Sequence, residues 1–140
     1  SNLDKIKFNS FRDFHVKVSG RKTRSDKTWE LQYDAIINNE AYLTVGYLDD
    51  LLVSGAYIAH GAGVAYYGVA VNDRELMAKN LPIGHSILFN SIILAKKKGL
   101  NKFIVGDYNY VEDEKINAIT KYKKGFVNSM NLIPKYLIEI

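Results

Sequence analysis

The sequence predicts an α+β domain in which a mostly antiparallel mixed sheet is flanked by helices. Three strand-like segments, rich in β-branched and aromatic residues, follow one another between residues 41 and 71 with only short turns between them. An apolar helical segment at 82–95 then leads to a short strand at 103–105, which predicts one parallel crossover. Two amphipathic segments with helical spacing precede the strands.

The composition excludes several classes of protein. The chain has 140 residues, a net charge of +4 and no cysteine, which excludes disulfides, a thiolate nucleophile and cysteine-based zinc sites. No apolar run approaches the roughly 20 residues of a membrane helix and no signal peptide is visible, so we expect a single cytoplasmic domain over residues 3–140. The chain begins at Ser1 without Met, so this domain could be half of a longer two-domain protein.

The first helix is predicted from residue 10 onward. Ser10 and Asp13 resemble the start of a capping box, and the apolar residues of segment 11–18 recur at helical spacing. His15 falls on the apolar side of this helix, where a packing role is favoured over a catalytic one.

The second helix should begin after Ser25, which is a plausible N-cap, and end at Asn38-Asn39. Its predicted buried stripe comprises Trp29, Tyr33, Ile36 and Ile37.

A polar, cationic loop at 19–25 separates these two helices. Its Arg21 and Arg24 could clamp a phosphate bidentately, or the loop could be a solvated connection. Two further basic clusters lie at 96–98 and 121–124. All three clusters suit either a solvated surface or a phosphate-bearing ligand such as coenzyme A, a nucleotide or RNA.

The three strands are predicted at 41–48, 51–59 and 64–71. The pair Asp49-Asp50 predicts a hairpin with a two-residue turn, and residues 60–63 are predicted to form the second turn. Glycines inside strands mark bulges or the close approach of another group, and here they are Gly46, Gly55 and Gly68. Three tyrosines either line one end of the sheet or serve in packing: Tyr57, Tyr66 and Tyr67.

The long apolar helix is predicted at 82–95, with Gly99 as a C′ residue after the basic residues 96–98, and a helical turn is predicted in the polar connector 72–81 before it. Its N-terminal amides could hold an anion. His85, in its first turn, is either a proton acceptor or a residue packed on the sheet. The residues expected to pack on the sheet include Ile83, Ile87 and Leu94.

The final third of the chain follows the strand at 103–105. Asp107 stands just past that strand, where ligand-binding groups lie in α/β sheets, although it could also cap a turn. Tyr108 belongs to the same polar, aromatic loop. A further helix should begin near residues 112–114 and end at Gly125. The alternating side-chain pattern of residues 135–140 predicts a last strand.

Together these elements resemble the GNAT acyltransferase superfamily. Within it, the chain is most similar to the Fem-type (FemAB-like) branch and to related acetyltransferase domains of bacterial polysaccharide and cell-surface loci. The segments that carry the resemblance, over roughly residues 8–127, are 19–29, 52–56, 82–85, 95–99 and 122–126.

The resemblance implies an N-acyltransferase acting on an amine of a small molecule or a cell-surface precursor. Acetyl-CoA or another acyl-CoA would be bound by Asn80, Ile83 and Gly84 together with Arg21 and Arg24. Typical members carry a glycine-rich Q/R-x-x-G-x-G/A loop, whereas this chain has residues 80–84 with a proline among them. Aminoacyl-tRNA, the donor of Fem-type relatives, is therefore an alternative, and no metal is implied.

The resemblance also implies roles for individual side chains. Either His85 or Asp107 would accept the proton of the amine. Lys123 would stabilise the acyl oxygen, or Tyr122 would protonate the leaving group, since adjacent helical residues diverge by about 100°. The predicted substrate-binding residues are Trp29, Tyr57, Tyr66, Tyr67 and Tyr108. A non-catalytic domain that binds a partner, a second copy or a missing second domain is the alternative from another class.

Overall fold

A computed structural model of the protein describes residues 2–106 and 114–130. In chain order it contains α1 (Asn2–Ser19), α2 (Asp26–Ile37), β1 (Ala41–Leu48), β2 (Leu51–Gly61), β3 (Val64–Asn72), α3 (Arg74–Ala78), α4 (Ile83–Lys97), β4 (Lys102–Ile104) and α5 (Glu114–Lys124). The chain divides into two compact units, residues 1–106 and 107–140, and the first contains all four of these strands. The predicted loop with Asp107 and Tyr108 and the predicted strand at 135–140 lie outside the described residues.

The sheet has the strand order β1-β2-β3-β4. The first three strands form an antiparallel meander, and β4 pairs parallel to β3. This confirms the predicted fold class, a mostly antiparallel mixed sheet flanked by helices.

The turns of the meander follow from residues that tolerate a left-handed backbone. Asp49 and Asp50 have φ values of 49° and 62°, as a type I′ hairpin requires, so the predicted hairpin is confirmed. The second turn is shorter than predicted, because β2 continues to Gly61. Ala62 and Gly63 make that turn with φ values of 49° and 77°.

The strand glycines have the predicted effects. The β1–β2 register shifts between Gly46 and Tyr47, and the β2–β3 register shifts opposite Gly68. At Gly55 the ring of Phe11 lies 2.6 Å from where a Cβ atom would be, so this glycine admits the close approach of α1.

The helix boundaries confirm some predictions and correct others. Ser25 caps α2 and accepts a hydrogen bond from the Thr28 amide at 3.2 Å, as predicted. The predicted start of α1 at Ser10 is wrong, because Ser10 lies inside the helix and its hydroxyl donates to the Ile6 carbonyl at 3.0 Å. Ile37 is 54% exposed at the last position of α2, so it does not belong to the buried stripe.

Helices cover both faces of the sheet. On one face α1 and α2 pack over the strands; this α1/α2 layer contains Phe8, Phe11, Trp29, Ala41, Tyr57, Val69 and Val71. On the other face lies the α4 layer, which contains Tyr42, Ala56, Ile58, Ala65, Ile87 and Ala95. Within the α4 layer the Tyr42 hydroxyl donates to the Ser91 carbonyl at 2.7 Å, which ties β1 to α4.

The direction of α1 fixes which groups share an end of the sheet. Its first turns line a cavity together with Tyr42 near the start of β1 and with Lys98. Its middle lies over Gly55, whose strand partners are Val45 and Val71. The C-terminal end of α1 therefore lies toward the end of β3, and Lys98 lies at the opposite end.

Candidate functional site

The pairing of β3 and β4 ends early. Only Val64, Ala65 and Tyr66 of β3 have partners in β4, yet β3 continues to Asn72. Among the described residues no strand pairs with residues 67–72 on that side, which we call the open edge. A strand edge of this kind presents peptide N–H and C=O groups to whatever lies beside it.

The chain leaves the open edge through a compact connector. Asp73 caps α3 and accepts a hydrogen bond from the Leu76 amide at 2.9 Å, which confirms the predicted helical turn. Asn80 then adopts a positive φ of 60°, which reverses the chain toward α4. Helices α3 and α4 are in contact. The start of α4 therefore follows closely on the end of β3.

The N-terminus of α4 begins one residue later than predicted, because Pro82 is its N-cap. Pro82 makes no side-chain capping bond, and its carbonyl accepts from the Ser86 amide at 2.9 Å. Gly84 is buried in this turn and His85 is exposed. A helix N-terminus favours anions, and exposure leaves the His85 ring accessible to a ligand. The catalytic role of His85 stays a prediction.

The three tyrosines do not form one wall. Tyr57 is buried in the α1/α2 layer, whereas Tyr67 packs against the α4 layer with its ring centroid 6.4 Å from that of Phe103. Tyr66 is exposed. Adjacent strand residues point to opposite faces, which separates Tyr66 from Tyr67. The three tyrosines therefore do not share one face of the sheet. That they line one end of it, and that any one of them binds substrate, remain predictions.

Trp29 is a core residue at 2% exposure. Its ring makes edge contacts with Phe8, Phe11 and His15 at centroid distances of 6.1, 6.1 and 5.5 Å. These contacts leave little of the ring for a substrate.

Arg24 is the better positioned of the two loop arginines. Its guanidinium lies 5.6 Å from the centroid of the Trp29 ring and 3.4 Å from His15 Nε2. Arg21 is exposed. The pKa of His15 is lowered from 6.5, first by burial and then by the positive charge of Arg24. The two arginines are thus held unequally, which argues against a symmetric clamp.

The remaining predicted residues belong to the second unit. Tyr122 and Lys123 are half-buried on α5, and the Tyr122 ring packs 5.6 Å from that of Phe126, while Lys124 is exposed. Within residues 2–106 and 114–130, no group of three histidine or acidic side chains is arranged to bind a metal ion. Over the same residues, no helix is long and apolar enough to cross a membrane.

Sequence reasoning did not locate the open edge at residues 67–72 and did not identify the residue at its end. The signal was present, because the predicted strand at 103–105 is much shorter than its neighbour at 64–71. Asn72, the last residue of β3, has a buried side-chain oxygen without a hydrogen-bond partner among the described residues. A buried acceptor without a partner is unfavourable unless a ligand or water supplies a donor.

Several solved structures with a similar fold are acetyltransferases. An aminoglycoside acetyltransferase from an uncultured soil metagenomic sample, in complex with sisomicin, matches with a TM-score of 0.70 and 16% identity over 100% of this chain and 92% of that chain. AAC(6′)-Iy, in complex with a CoA-linked bisubstrate analogue of acetylneamine, matches with a TM-score of 0.66 and 10% identity over 96% of this chain and 93% of that one. A GNAT family acetyltransferase from Staphylococcus aureus matches with a TM-score of 0.60 and 12% identity over 98% and 94%.

These similarities establish the fold, which is that of the GNAT acetyltransferases. No protein-family model and no curated protein matches the chain.

Proposed function

We propose that the protein transfers an acyl group from acyl-CoA to the nitrogen of an amine. The observation that supports this most strongly is the open edge of β3 beside the start of α4, within an acetyltransferase fold. An extended ligand that contains amides can pair with such an edge as another strand would. The pantetheine arm of coenzyme A is such a ligand.

The chain offers suitable groups for both ends of coenzyme A. The peptide groups of residues 67–72 would hold the pantetheine arm, and Asn80, Ile83 and Gly84 would hold the phosphates at the start of α4. Once bound, the cofactor supplies an acyl thioester that an amine can attack. The absence of cysteine excludes an acyl-cysteine intermediate, so the amine attacks the thioester directly unless another side chain carries the acyl group.

The side chains proposed for proton and charge transfer are those predicted from the sequence. His85 is the exposed candidate for accepting the proton of the attacking amine, and Asp107 is the alternative. Lys123 is the candidate for stabilising the negative charge that develops on the acyl oxygen. Tyr122 is the candidate for protonating the departing thiolate.

The acceptor is proposed to be an amine on a small molecule or on a cell-surface precursor, in a cytoplasmic enzyme. Two structures of similar fold contain sisomicin or an acetylneamine analogue, so aminoglycosides are reasonable first probes. Their low identity to this chain means that they support an amine as the acceptor group and no particular acceptor.

Aminoacyl-tRNA is a weaker candidate for the donor. Two of the basic clusters lie at opposite ends of the first unit: the loop that contains Arg24 lies toward the end of β3, and Lys98 lies beside Tyr42. They do not form one continuous basic surface for a polynucleotide. The resemblance to the Fem-type branch is a prediction that rests on the sequence. So are the presence of a second domain and the formation of a homodimer.

Acetyl-CoA binding and thiol release test the proposal directly. Isothermal titration should detect acetyl-CoA binding, and a thiol reagent should detect released coenzyme A when amines, including sisomicin, are added. The chain has no cysteine, so the protein itself contributes no thiol background. Lys123→Ala should lower the rate about 10²-fold, while Lys124→Ala serves as the matched control.

The opposite results would count against the proposal. If neither acetyl-CoA nor charged tRNA binds, a non-catalytic domain is favoured. If charged tRNA binds and acetyl-CoA does not, the hypothesis that aminoacyl-tRNA is the donor is favoured. Equal rates for the two lysine variants would remove Lys123 from the mechanism.

A further inference from the structure

Arg24 is held in one orientation by three neighbours. Its guanidinium stacks near the Trp29 ring at 5.6 Å, and its Nη1 lies 3.4 Å from His15 Nε2 and 3.2 Å from Thr23 Oγ1. Stacking on an aromatic face leaves the edge of a guanidinium free to donate hydrogen bonds in its own plane. The side chain is half-buried, so part of it reaches solvent.

The contact with His15 requires a neutral imidazole. His15 Nε2 accepts from Arg24, and Nδ1, which lies 3.4 Å from Ser19 Oγ, then carries the hydrogen and donates it. Burial and the charge of Arg24 both lower the pKa of His15, which favours this neutral form. The imidazole thus orients the arginine without cancelling its charge.

No acidic side chain among the described residues pairs with Arg24. The carboxylate closest to it in sequence, that of Asp26, pairs with Lys22 at 2.7 Å. Arg24 therefore keeps its full charge and unused N–H donors. A fixed guanidinium with free donors matches the two oxygens of a carboxylate or phosphate.

Arg24 lies toward the end of the sheet at which β3 and its open edge finish. The helix α1 ends at Ser19, toward the C-terminal end of β3, and the loop with Arg24 follows directly. Arg24 packs on the α1/α2 layer, whereas α4 covers the other face of the sheet. An anion at Arg24 is thus separated by the sheet from one at the start of α4.

We propose that Arg24 binds an anionic group of the acceptor, so that the amine acceptor also carries a carboxylate or phosphate group. The anion site itself stands on the contacts of Arg24, and its assignment to the acceptor rests on the proposed acyl transfer.

Trp29 provides the readout, because it is the only tryptophan in the chain and lies beneath Arg24. Inorganic phosphate and acetate are titrated separately at constant ionic strength while the tryptophan fluorescence of the full chain is recorded. Wild type and Arg21→Gln should show the same saturable change with at least one of the two anions. Arg24→Gln should bind that anion at least about tenfold more weakly, the loss expected for one charge-assisted hydrogen-bonding group. The anion that saturates identifies the group, phosphate or carboxylate.

Arg24→Lys is the control for a folding defect, because it keeps the positive charge but loses the planar guanidinium. This variant should bind the anion with an affinity between those of wild type and Arg24→Gln. Absence of saturation in wild type with both anions, unchanged binding in Arg24→Gln, or an equal loss in Arg21→Gln would overturn the site.

A repeat of the titration with saturating coenzyme A separates the two parts of the proposal. Unchanged anion binding is the result expected for an acceptor site, because it shows that the anion and coenzyme A bind separately. Displacement of the anion by coenzyme A would mean that Arg24 holds the donor and would overturn the assignment. If coenzyme A does not bind, the proposed acyl transfer fails and the acceptor assignment fails with it. The first titration still decides whether Arg24 is an anion site.

Discussion

The two layers that cover the sheet are built from different kinds of side chain. The α1/α2 layer stacks large rings, with Phe8, Phe11 and Trp29 in mutual edge contacts. The buried residues of the α4 layer are mostly small or aliphatic, such as Ala56 and Ile58, with Tyr42 as the aromatic exception. The aromatic layer therefore provides a rigid support for a charged group at its margin. The α4 layer brings a helix N-terminus close to the end of β3.

The polar side chains of the two layers also differ in their hydrogen-bond partners. In the α4 layer Ser91 donates to the Ile87 carbonyl at 2.8 Å and Tyr42 donates to the Ser91 carbonyl, whereas His60, beside Tyr42, has a buried Nε2 with no partner among the described residues. In the α1/α2 layer His15 connects to Arg24, a charge without an acidic partner among the described residues. Polar groups thus reinforce packing in one layer and orient a cation in the other.

The largest expected effects come from truncating one large residue in each layer. Phe11 and Leu88 are both fully buried, the first in the α1/α2 layer and the second on α4. Phe11→Ala should lower the free energy of unfolding by about 3–5 kcal/mol and Leu88→Ala by about 2–5 kcal/mol. Urea denaturation measures both, with Phe89→Ala as control, because Phe89 is 56% exposed. If Phe11→Ala cost no more than the control, the aromatic layer would not be a rigid core.

A methyl group added at Gly55 should have a smaller effect. Its Cβ would lie 2.6 Å from the Phe11 ring, so Gly55→Ala should cost about 1–3 kcal/mol through overpacking. Gly68→Ala is the matched control, because its nearest neighbour would be 3.5 Å away, an ordinary contact. Combining Gly55→Ala with Phe11→Leu should cost less than the sum of the single changes. Strict additivity of the two would mean that Phe11 does not limit the space at Gly55.

The sequence predicted those parts of the fold that depend on local chemistry. The Asp49-Asp50 hairpin and the Ser25 cap were predictable, because each rests on the conformational preference of residues that are adjacent in the chain. The start of α1 was not, because a serine can cap a helix or donate to the carbonyl four residues earlier. The packing of Phe8, which precedes Ser10 and contacts Trp29 and Tyr33, favours the longer helix.

The candidate site was less predictable, because it depends on contacts between distant segments. The spacing of Trp29 identified a buried stripe, and the structure places the ring in the core, between α1 and α2. The burial of Tyr57 and Tyr67 was less predictable, because it depends on which helices pack on each face of the sheet. Arg24 was identified as an anion-binding candidate, but only the fold distinguishes it from Arg21.

The smallest expected effect is a pH dependence that comes from His15 at the margin of the α1/α2 layer. Its pKa in the folded state is below 6.5, the value expected in the unfolded chain, because burial and then Arg24 disfavour the imidazolium. The neighbours that face it are Phe11 and Ser19 from α1, Trp29 from α2 and Arg24 from the loop. None of these side chains is negatively charged, so none offsets the cost of protonation.

The sign follows from which state binds the proton first. Above about pH 6.5 both states are neutral at this residue and its contribution to stability is fully present. As the pH falls below 6.5 toward the lower folded-state pKa, the unfolded chain takes up the proton first and stability is lost. His15→Gln should therefore reduce the difference in unfolding free energy between about pH 7.5 and about pH 5.5, measured in urea. Part of the difference should remain, because the pKa of His60 is also lowered, by burial and by Lys98. An identical pH dependence in wild type and variant would show that His15 is not held neutral beside Arg24.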